Sequence, residues 1–321
     1  MPTVSVVIPL YNSERTIGRA IKSVLEQTFS DFELIVIDDG STDSSVNIVK
    51  TFKDDRLRIF LFDNSGAPTA RNRGIEKAKA DLVAFLDSDD MWTPEKLADQ
   101  VPIITNTPQA GLVYSWSDYI DTQDNVVCPG KRVTASKELE KNYASLLVSN
   151  FLENGSTPLI KKAVLHEVGG FDVLLKSSQD LDLYLKIAAK YQFLTIPKVQ
   201  VKYRITPGSI TSKIASNEQK EIEFIEQLFL KVPQKFKHLK RQKLSNLYRY
   251  LMLRTVEEGS SSVRGLIYLS KMLYYRPILV FEQWRFITVM ILKALIGFLP
   301  DILSKAILKK PNQYPSSASA D

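Results

Sequence analysis

The sequence predicts an α/β fold with a mainly parallel sheet, followed by a C-terminal helical region. Three observations carry this. Four short apolar runs, Val4 to Ile8, Leu34 to Ile37, Leu57 to Phe62 and Leu82 to Leu86, have the length of buried strands, and stretches with helical spacing separate them. Strands alternating with helices mean βαβ units, right-handed crossovers and parallel pairing. From about Ala215 onward the pattern is helical throughout, broken near Pro233, Gly259 and Pro277.

The elements follow in order. After the first strand, Glu14 to Gln27 carries Ile17, Ala20, Ile21, Val24 and Leu25 at helical spacing. The second strand ends in Asp38-Asp39-Gly40-Ser41, and a helix runs from about Asp43 to Phe52, with Ser41 or Thr42 as its cap. The third strand leads through the polar turn Asp63 to Gly66 into a helix, Pro68 to Lys79. The fourth strand ends in Asp87-Ser88-Asp89-Asp90. Thr93 as N-cap and Pro94 at the first helical position then start a helix reaching Ile104. Beyond it the alternation breaks down. Gly111 to Tyr119 is strand-like, Asp121 to Arg132 polar and turn-rich, and Glu138 to Val148 helical. Thr157 to Ile160 is apolar, and Lys161 to Val168 is a helix stopped by Gly169-Gly170. Leu181 to Tyr191 is helical and Phe193 to Tyr203 extended, so this half reads as a second subdomain set against the first. The expected divisions are residues 1–110, 111–212, a helical region 213–312 and a disordered polar tail 313–321.

Composition narrows the class. The chain has 321 residues, 44% hydrophobic and 24% charged, ordinary for a globular protein. A single cysteine, Cys128, allows no internal disulfide and fits a reducing compartment. The start has no basic n-region and no small-residue cleavage site, so no signal peptide is expected. The two histidines, His166 and His238, form no metal-ligand spacing. No glycine-rich fingerprint follows the first strand and no G-x-x-x-x-G-K-S/T occurs, which excludes dinucleotide-binding and P-loop readings.

The acidic end of the fourth strand is the strongest local candidate. On an extended backbone Asp87 and Asp89 face one point while Asp90 points elsewhere. Two converging carboxylates make half a site for Mg²⁺ or Mn²⁺, completed by water and phosphate oxygens; the alternative is a solvated acidic turn. Tyr11 offers a flat face on which a base can stack. Asp39 can accept from a base N–H, or it can belong only to the turn after its strand. Arg71 could reach a diphosphate at the strand ends, or lie solvated on its helix, a description that suits Arg73 better. In Ser177 to Ile187, acids in a first helical turn suit the dipole. The sharper reading makes Asp180 a general base facing the metal site and leaves Asp182 on the helix surface.

Together these stretches resemble a known family. P-x-Y-N, V-I-D-D-G-S-T-D, N-x-G-A-x-x-A-R-N-x-G-I, F-L-D-S-D-D-x-W-x-P and Q-D-L-D-L-Y-L-K stand in the order and spacing of the family-2 glycosyltransferases of GT-A fold, over about residues 3 to 212. The resemblance implies inverting transfer of a sugar from a nucleotide-sugar donor (a UDP-, GDP- or dTDP-sugar) to a hydroxyl of a glycan or lipid-linked glycan, in cell-surface polysaccharide, lipopolysaccharide or glycolipid biosynthesis. It implies that Pro9, Tyr11 and Asp39 hold the base and ribose, and that Arg71 lies at the diphosphate. Asp87 would bind ribose or metal-bound water, Ser88 the nucleotide through its backbone, Asp89 the Mn²⁺ or Mg²⁺ directly, and Asp180 would be the catalytic base. No nucleic acid is expected as a partner. Two positions depart from the family's pattern: Gln179 replaces a glutamate before the base, and Thr206 stands where Y-R-x-H has histidine. They keep open a catalytically inactive nucleotide-sugar-binding scaffold, and transfer onto a polyprenyl phosphate is the rival enzyme reading.

The C-terminal region carries a separate signal. Between Ser261 and Pro311 eight basic residues stand against two acidic ones. Ile278 to Leu303 is interrupted by charges, so it is no clean apolar span. With Tyr274, Tyr275 and Trp284 nearby, the basic excess suggests helices lying on anionic lipid, and a protein that is cytoplasmic and at the cytoplasmic face of the membrane. The competing reading is an ordinary buried core helix.

Overall fold

The computed structural model describes residues 1–175, 177–205, 218–257 and 262–296. The chain divides into two compact units, residues 1–212 and 213–321. Thr206, the segment Gly208 to Thr211 and the tail 313–321, all singled out by the sequence, lie outside the described residues.

The first unit is one mixed sheet with flanking helices. Its strands are β1 Val4–Leu10, β2 Phe32–Asp39, β3 Leu57–Phe62, β4 Leu82–Phe85, β5 Met91–Trp92, β6 Ala110–Ile120, β7 Val126–Pro129, β8 Pro158–Lys161 and β9 Gln192–Arg204. The sheet order is β3-β2-β1-β4-β8-β6-β9-β5, with β7 paired to β6. β3, β2, β1 and β4 run parallel, as alternation predicts. β8 is inserted antiparallel between β4 and β6, and β6 then pairs parallel with β9. The expected second subdomain is therefore a continuation of the same sheet. The short run at β8 carries the register across, Val83 opposite Ile160 and Ile160 opposite Leu112.

The helices of this unit are α1 Ile17–Leu25, α2 Ser45–Thr51, α3 Ala67–Lys77, α4 Lys96–Thr105, α5 Leu139–Val148, α6 Lys162–Glu167 and α7 Gln179–Ala188. α1 buries Ile17, Ala20, Ile21 and Val24, the face its spacing marks. They join Val4, Val6, Ile8, Leu34, Val36 and Leu86 in a dry core between helices and sheet. On the other side, α3 approaches β1 so closely that a Cβ on Gly74 would stand 2.2 Å from Cγ1 of Val7. Glycine is required there by contact rather than by backbone angle.

Two expected helix starts move. Thr93 and Pro94 do not open α4, because Met91 and Trp92 pair with Lys202 and Val201 of β9 and the Thr93 amide donates to the Gln200 carbonyl. Helical structure begins only after Glu95. Ser41 and Thr42 do not cap α2. The amide of Ser45 instead donates to Oδ1 of Asp43.

In the second unit the described helices are α8 Glu218–Lys231, α9 Leu239–Glu257, α10 Ser262–Tyr275, α11 Leu279–Glu282 and α12 Trp284–Ile296. Tyr248, Leu251, Met252, Leu269, Met272, Leu279 and Ile287 form its core. Tyr248 and Tyr275 stack with centroids 5.8 Å apart. The run read as one helix from Ile278 is broken at Gln283, which leaves helical geometry at φ −132°. No described helix is long and apolar enough to cross a membrane.

Candidate functional site

The site lies at the carboxyl ends of the parallel strands. With the order β3-β2-β1-β4, the carboxyl ends of β1 and β4 border the switch point at which open α/β sheets bind ligands. Pro9 is buried within β1, opposite Ile37. Just past β1, Tyr11 is 50% exposed, an aromatic face turned to solvent. Asn12 adopts φ +47°, the left-handed region that asparagine tolerates. Its Oδ1 accepts from the Thr42 amide at 2.8 Å, and its own amide donates to Ser41 Oγ at 3.0 Å. One asparagine thus ties the loop after β1 to the loop after β2.

Asp39 ends β2 and is buried. Its carboxylate accepts from the amides of Ser65 and Gly66, the latter at 2.7 Å, and from Arg73 at 3.1 Å. Arg73 is therefore no solvated arginine. It also donates to Ser65 Oγ and lies over the Phe62 ring, with its guanidinium carbon 4.4 Å from the centroid.

Arg71 projects from α3 and is buried, 6% exposed. Its Nη2 donates to Oδ1 of Asp87 at 2.5 Å, and its guanidinium lies 5.4 Å from the centroid of the Phe171 ring. Burial works against its charge, but the carboxylates of Asp87 and Asp180 outweigh that and hold it protonated more firmly than usual. Asp180, in the first turn of α7, has a buried Oδ1 with no hydrogen-bond partner. Burial raises its carboxyl above the usual range; Arg71 draws it down and Asp87 pushes it up. Arg71 thus pairs with the acid at the end of β4, and its charge is also felt by the acid on α7. Asp182, one helical step on, is engaged by Lys186 at 2.7 Å.

The turn after β4 is pinned from several sides. Asp90 is fully buried, accepting from Ser156 Oγ at 2.6 Å and from the Arg204 amide at 2.9 Å. The Asp87 amide donates to Ser156 Oγ at 3.0 Å, and Arg204 Nε donates to the Asp89 carbonyl at 2.8 Å. Ser88 Oγ shares a 2.7 Å hydrogen bond with Ser13 Oγ. Asp89 stays partly exposed, and burial plus the charge of Asp87 push its carboxyl up to about 6. A carboxylate held against a like charge is one that a cation would relieve, so Asp87 and Asp89 fit a divalent metal. Among the described residues no group of three or more His, Cys, Asp or Glu side chains forms a complete metal cage. A two-carboxylate half-site is what the donor set supplies.

Sequence reasoning missed Ser156 and the partners of Asp90, Arg204 and Arg73. A faint signal existed for Asp90, since three acids in four residues cannot all share one solvated face. The Y-R pair flagged Arg204 without its role. Nothing local marks Ser156, which reaches the turn from 69 residues away.

A mixed, largely parallel α/β sheet with an exposed tyrosine at one strand end and two carboxylates at another has the architecture of the GT-A fold. Residues 5–255 match the family described as "Glycosyltransferase like family 2". The chain belongs to that family and is a glycosyltransferase. An uncharacterized glycosyltransferase of Rickettsia typhi is 32% identical over 234 residues, 72% of each chain. One of Haemophilus influenzae is 36% identical over 216 residues, 63% of this chain and 82% of the relative. Among solved structures, S. aureus TarS 1-349 in complex with UDP-GlcNAc superposes with a TM-score of 0.55 at 21% identity, over 89% of this chain and 92% of that one. Mannosyltransferase PcManGT from Pyrobaculum calidifontis, in complex with GDP-Man and Mn²⁺, gives 0.56 at 19% identity, over 97% and 88%. These two share the fold.

Proposed function

We propose that this glycosyltransferase moves a sugar from a nucleoside-diphosphate sugar to a hydroxyl of a glycan or lipid-linked glycan, with inversion, in the assembly of a cell-surface polysaccharide, lipopolysaccharide or glycolipid. The observation that carries the reading is the Arg71 guanidinium paired with Asp87, with its charge also acting on Asp180. It brings a candidate metal-side acid and a candidate base into one electrostatic unit at the switch point. The donor's base stacks on Tyr11 beside Pro9 and Asp39, whose carboxylate also braces the turn at Ser65 and Gly66. Ser88 offers its backbone to the nucleotide. Asp87 and Asp89 would hold Mn²⁺ or Mg²⁺, a reading in keeping with the structural neighbour described with GDP-Man and Mn²⁺. A bound divalent cation supplies neutralisation of charge building on the diphosphate.

Asp180 takes the acceptor's proton. Its carboxyl is raised by burial, and an orphaned buried oxygen is available to accept. One base and no nucleophile fit a single displacement. The exposed side chains Phe281 (82%), Tyr274 (71%) and Trp284 (57%), near the cations Arg276 and Arg285, support contact with anionic lipid at the cytoplasmic membrane face.

The test is turnover of a panel of UDP-, GDP- and dTDP-sugars with Mn²⁺, comparing the wild type with Asp180→Asn. Asparagine keeps size and hydrogen bonding but takes no proton. The expected loss in turnover is about 10²- to 10⁴-fold with donor affinity near wild type. Undiminished turnover by the variant removes Asp180 as the base and favours an acceptor that is already ionised, such as a polyprenyl phosphate.

A further inference from the structure

Asn154, Gly155 and Ser156 form a buried link between the two halves of the chemistry. At one end, the three nearest heavy atoms that a Cβ on Gly155 would meet, its chain neighbours aside, all belong to Asp180: Oδ1 at 3.2 Å, Oδ2 at 3.4 Å and Cγ at 3.5 Å. A side chain at position 155 would thus meet the carboxyl group itself. At the other end, one residue on, the Ser156 hydroxyl accepts from the Asp87 amide at 3.0 Å and donates to Asp90 at 2.6 Å.

The link has little freedom. Ser156 is fully buried and Asn154 is 4% exposed. The Ser156 carbonyl accepts from Trp92 Nε1 at 2.9 Å, and the Asn154 carbonyl accepts from the Tyr184 hydroxyl on α7 at 2.9 Å. Asn154 closes a small turn by accepting from the Ser156 amide at 3.0 Å. Each end is therefore anchored to the element that carries its acid: Tyr184 lies one helical turn beyond Asp180, and Trp92 follows the Asp87–Asp90 turn.

We propose that the segment Asn154-Gly155-Ser156 is a positioning element that sets the placement of the Asp180 carboxylate relative to the Asp87–Asp89 turn. Gly155 seats the base and Ser156 seats the metal-side turn. The proposal rests on the reading of Asp180 as the base. It extends that reading by giving two residues that touch no reacting atom separable kinetic effects. Gly155 is not among the glycines with positive φ, so alanine fits its backbone and the added methyl meets the Asp180 carboxyl first. Misplacing a catalytic group by about 1 Å can cost on the order of 100-fold, so a shift of a few tenths of an ångström should cost roughly 10-fold.

The experiment measures kcat, donor KM, the Mn²⁺ concentration for half-maximal rate and the thermal midpoint, on the full chain, with whichever UDP- or GDP-sugar it turns over and water as acceptor. Wild type is compared with Gly155→Ala, Ser156→Ala, Ser156→Cys and Asp180→Asn. Gly155→Ala should lower kcat roughly 10-fold with donor KM and Mn²⁺ requirement within about 2-fold of wild type. Ser156→Ala should raise the Mn²⁺ requirement several-fold, and Ser156→Cys, which keeps a weak donor, should fall between, giving the comparison even if the alanine variant folds poorly. Wild-type kcat in Gly155→Ala beside an inactive Asp180→Asn overturns the proposal and leaves the base in place. An active Asp180→Asn removes the base reading and the proposal with it. A Gly155→Ala loss carried by KM, or an unchanged Mn²⁺ requirement in both Ser156 variants, also overturns it.

Discussion

Asp89 stands in an environment that a bound cation would relieve. It is pushed up to about 6 by burial and by Asp87, while Asp87 already spends one oxygen on Arg71. Asp89→Ala should therefore abolish Mn²⁺-dependent donor binding and leave the fold intact, because the side chain is partly exposed and pairs with no core group. Calorimetric titration of nucleoside diphosphate with and without Mn²⁺, beside a thermal melt, checks both halves. Full activity in the presence of EDTA would end the metal role. Lys96 has the opposite character: an amine with no exposure, donating to Gln100 Oε1 at 3.0 Å and lying 4.1 Å from the centroid of the Trp92 ring. Burial holds its pKa well below the usual lysine range. The folded chain then binds fewer protons than the unfolded chain between the folded pKa and about 10.4, so stability rises with pH across that window. Relative to Lys96→Met, the wild type should gain thermal stability as pH is raised toward 10. Parallel melting curves for the two chains would contradict the buried neutral amine.

Elements add constraints that no single residue shows. α3 delivers Arg71 and Arg73 to the site only because it lies flat on β1, and Gly74 makes that approach possible. Gly74→Ala would drive a methyl into Val7, a contact so short that the Val7 side chain, the helix or the strand has to shift. Overpacking of this kind costs about 1–3 kcal/mol, so the melting temperature should fall clearly, and turnover should fall with it as Arg71 moves away from Asp87. A variant as stable as the wild type would mean that α3 can lift without cost. β5 is the other decisive element. Two residues paired to β9 displace the start of α4 and place Trp92 where its indole N–H reaches Ser156.

For the whole molecule, the question is what the second unit does. Its helices α10 to α12 carry exposed Tyr274, Phe281, Trp284 and Leu292, with Arg285 among them. A protein using them on lipid should float with anionic vesicles at low salt and release as salt rises, since the electrostatic part is screened. The full chain with Phe281→Glu and Trp284→Glu should float less well while keeping its turnover of free donor. Equal flotation of both chains would leave these side chains without a membrane role.

The sequence by itself determined the alternation of strands and helices, the family and the acidic strand end, because each depends on local spacing: strand period, helix period and residues adjacent in the chain. Asp87, Asp89, Asp180 and Arg71 could be named for the same reason. Only the tertiary structure decided what faces them. Asp90 turns inward to Ser156 and to the Arg204 amide, Asp39 accepts from the amides of Ser65 and Gly66, and Arg73 leaves the solvent to join it. These partners are brought together by sheet pairing across long stretches of chain, and side-chain periodicity says nothing of partners so far apart. The same holds for β8. A four-residue apolar run marks a strand, but only its antiparallel insertion between β4 and β6 makes the later half of the unit part of one sheet and carries Ser156 to the turn after β4.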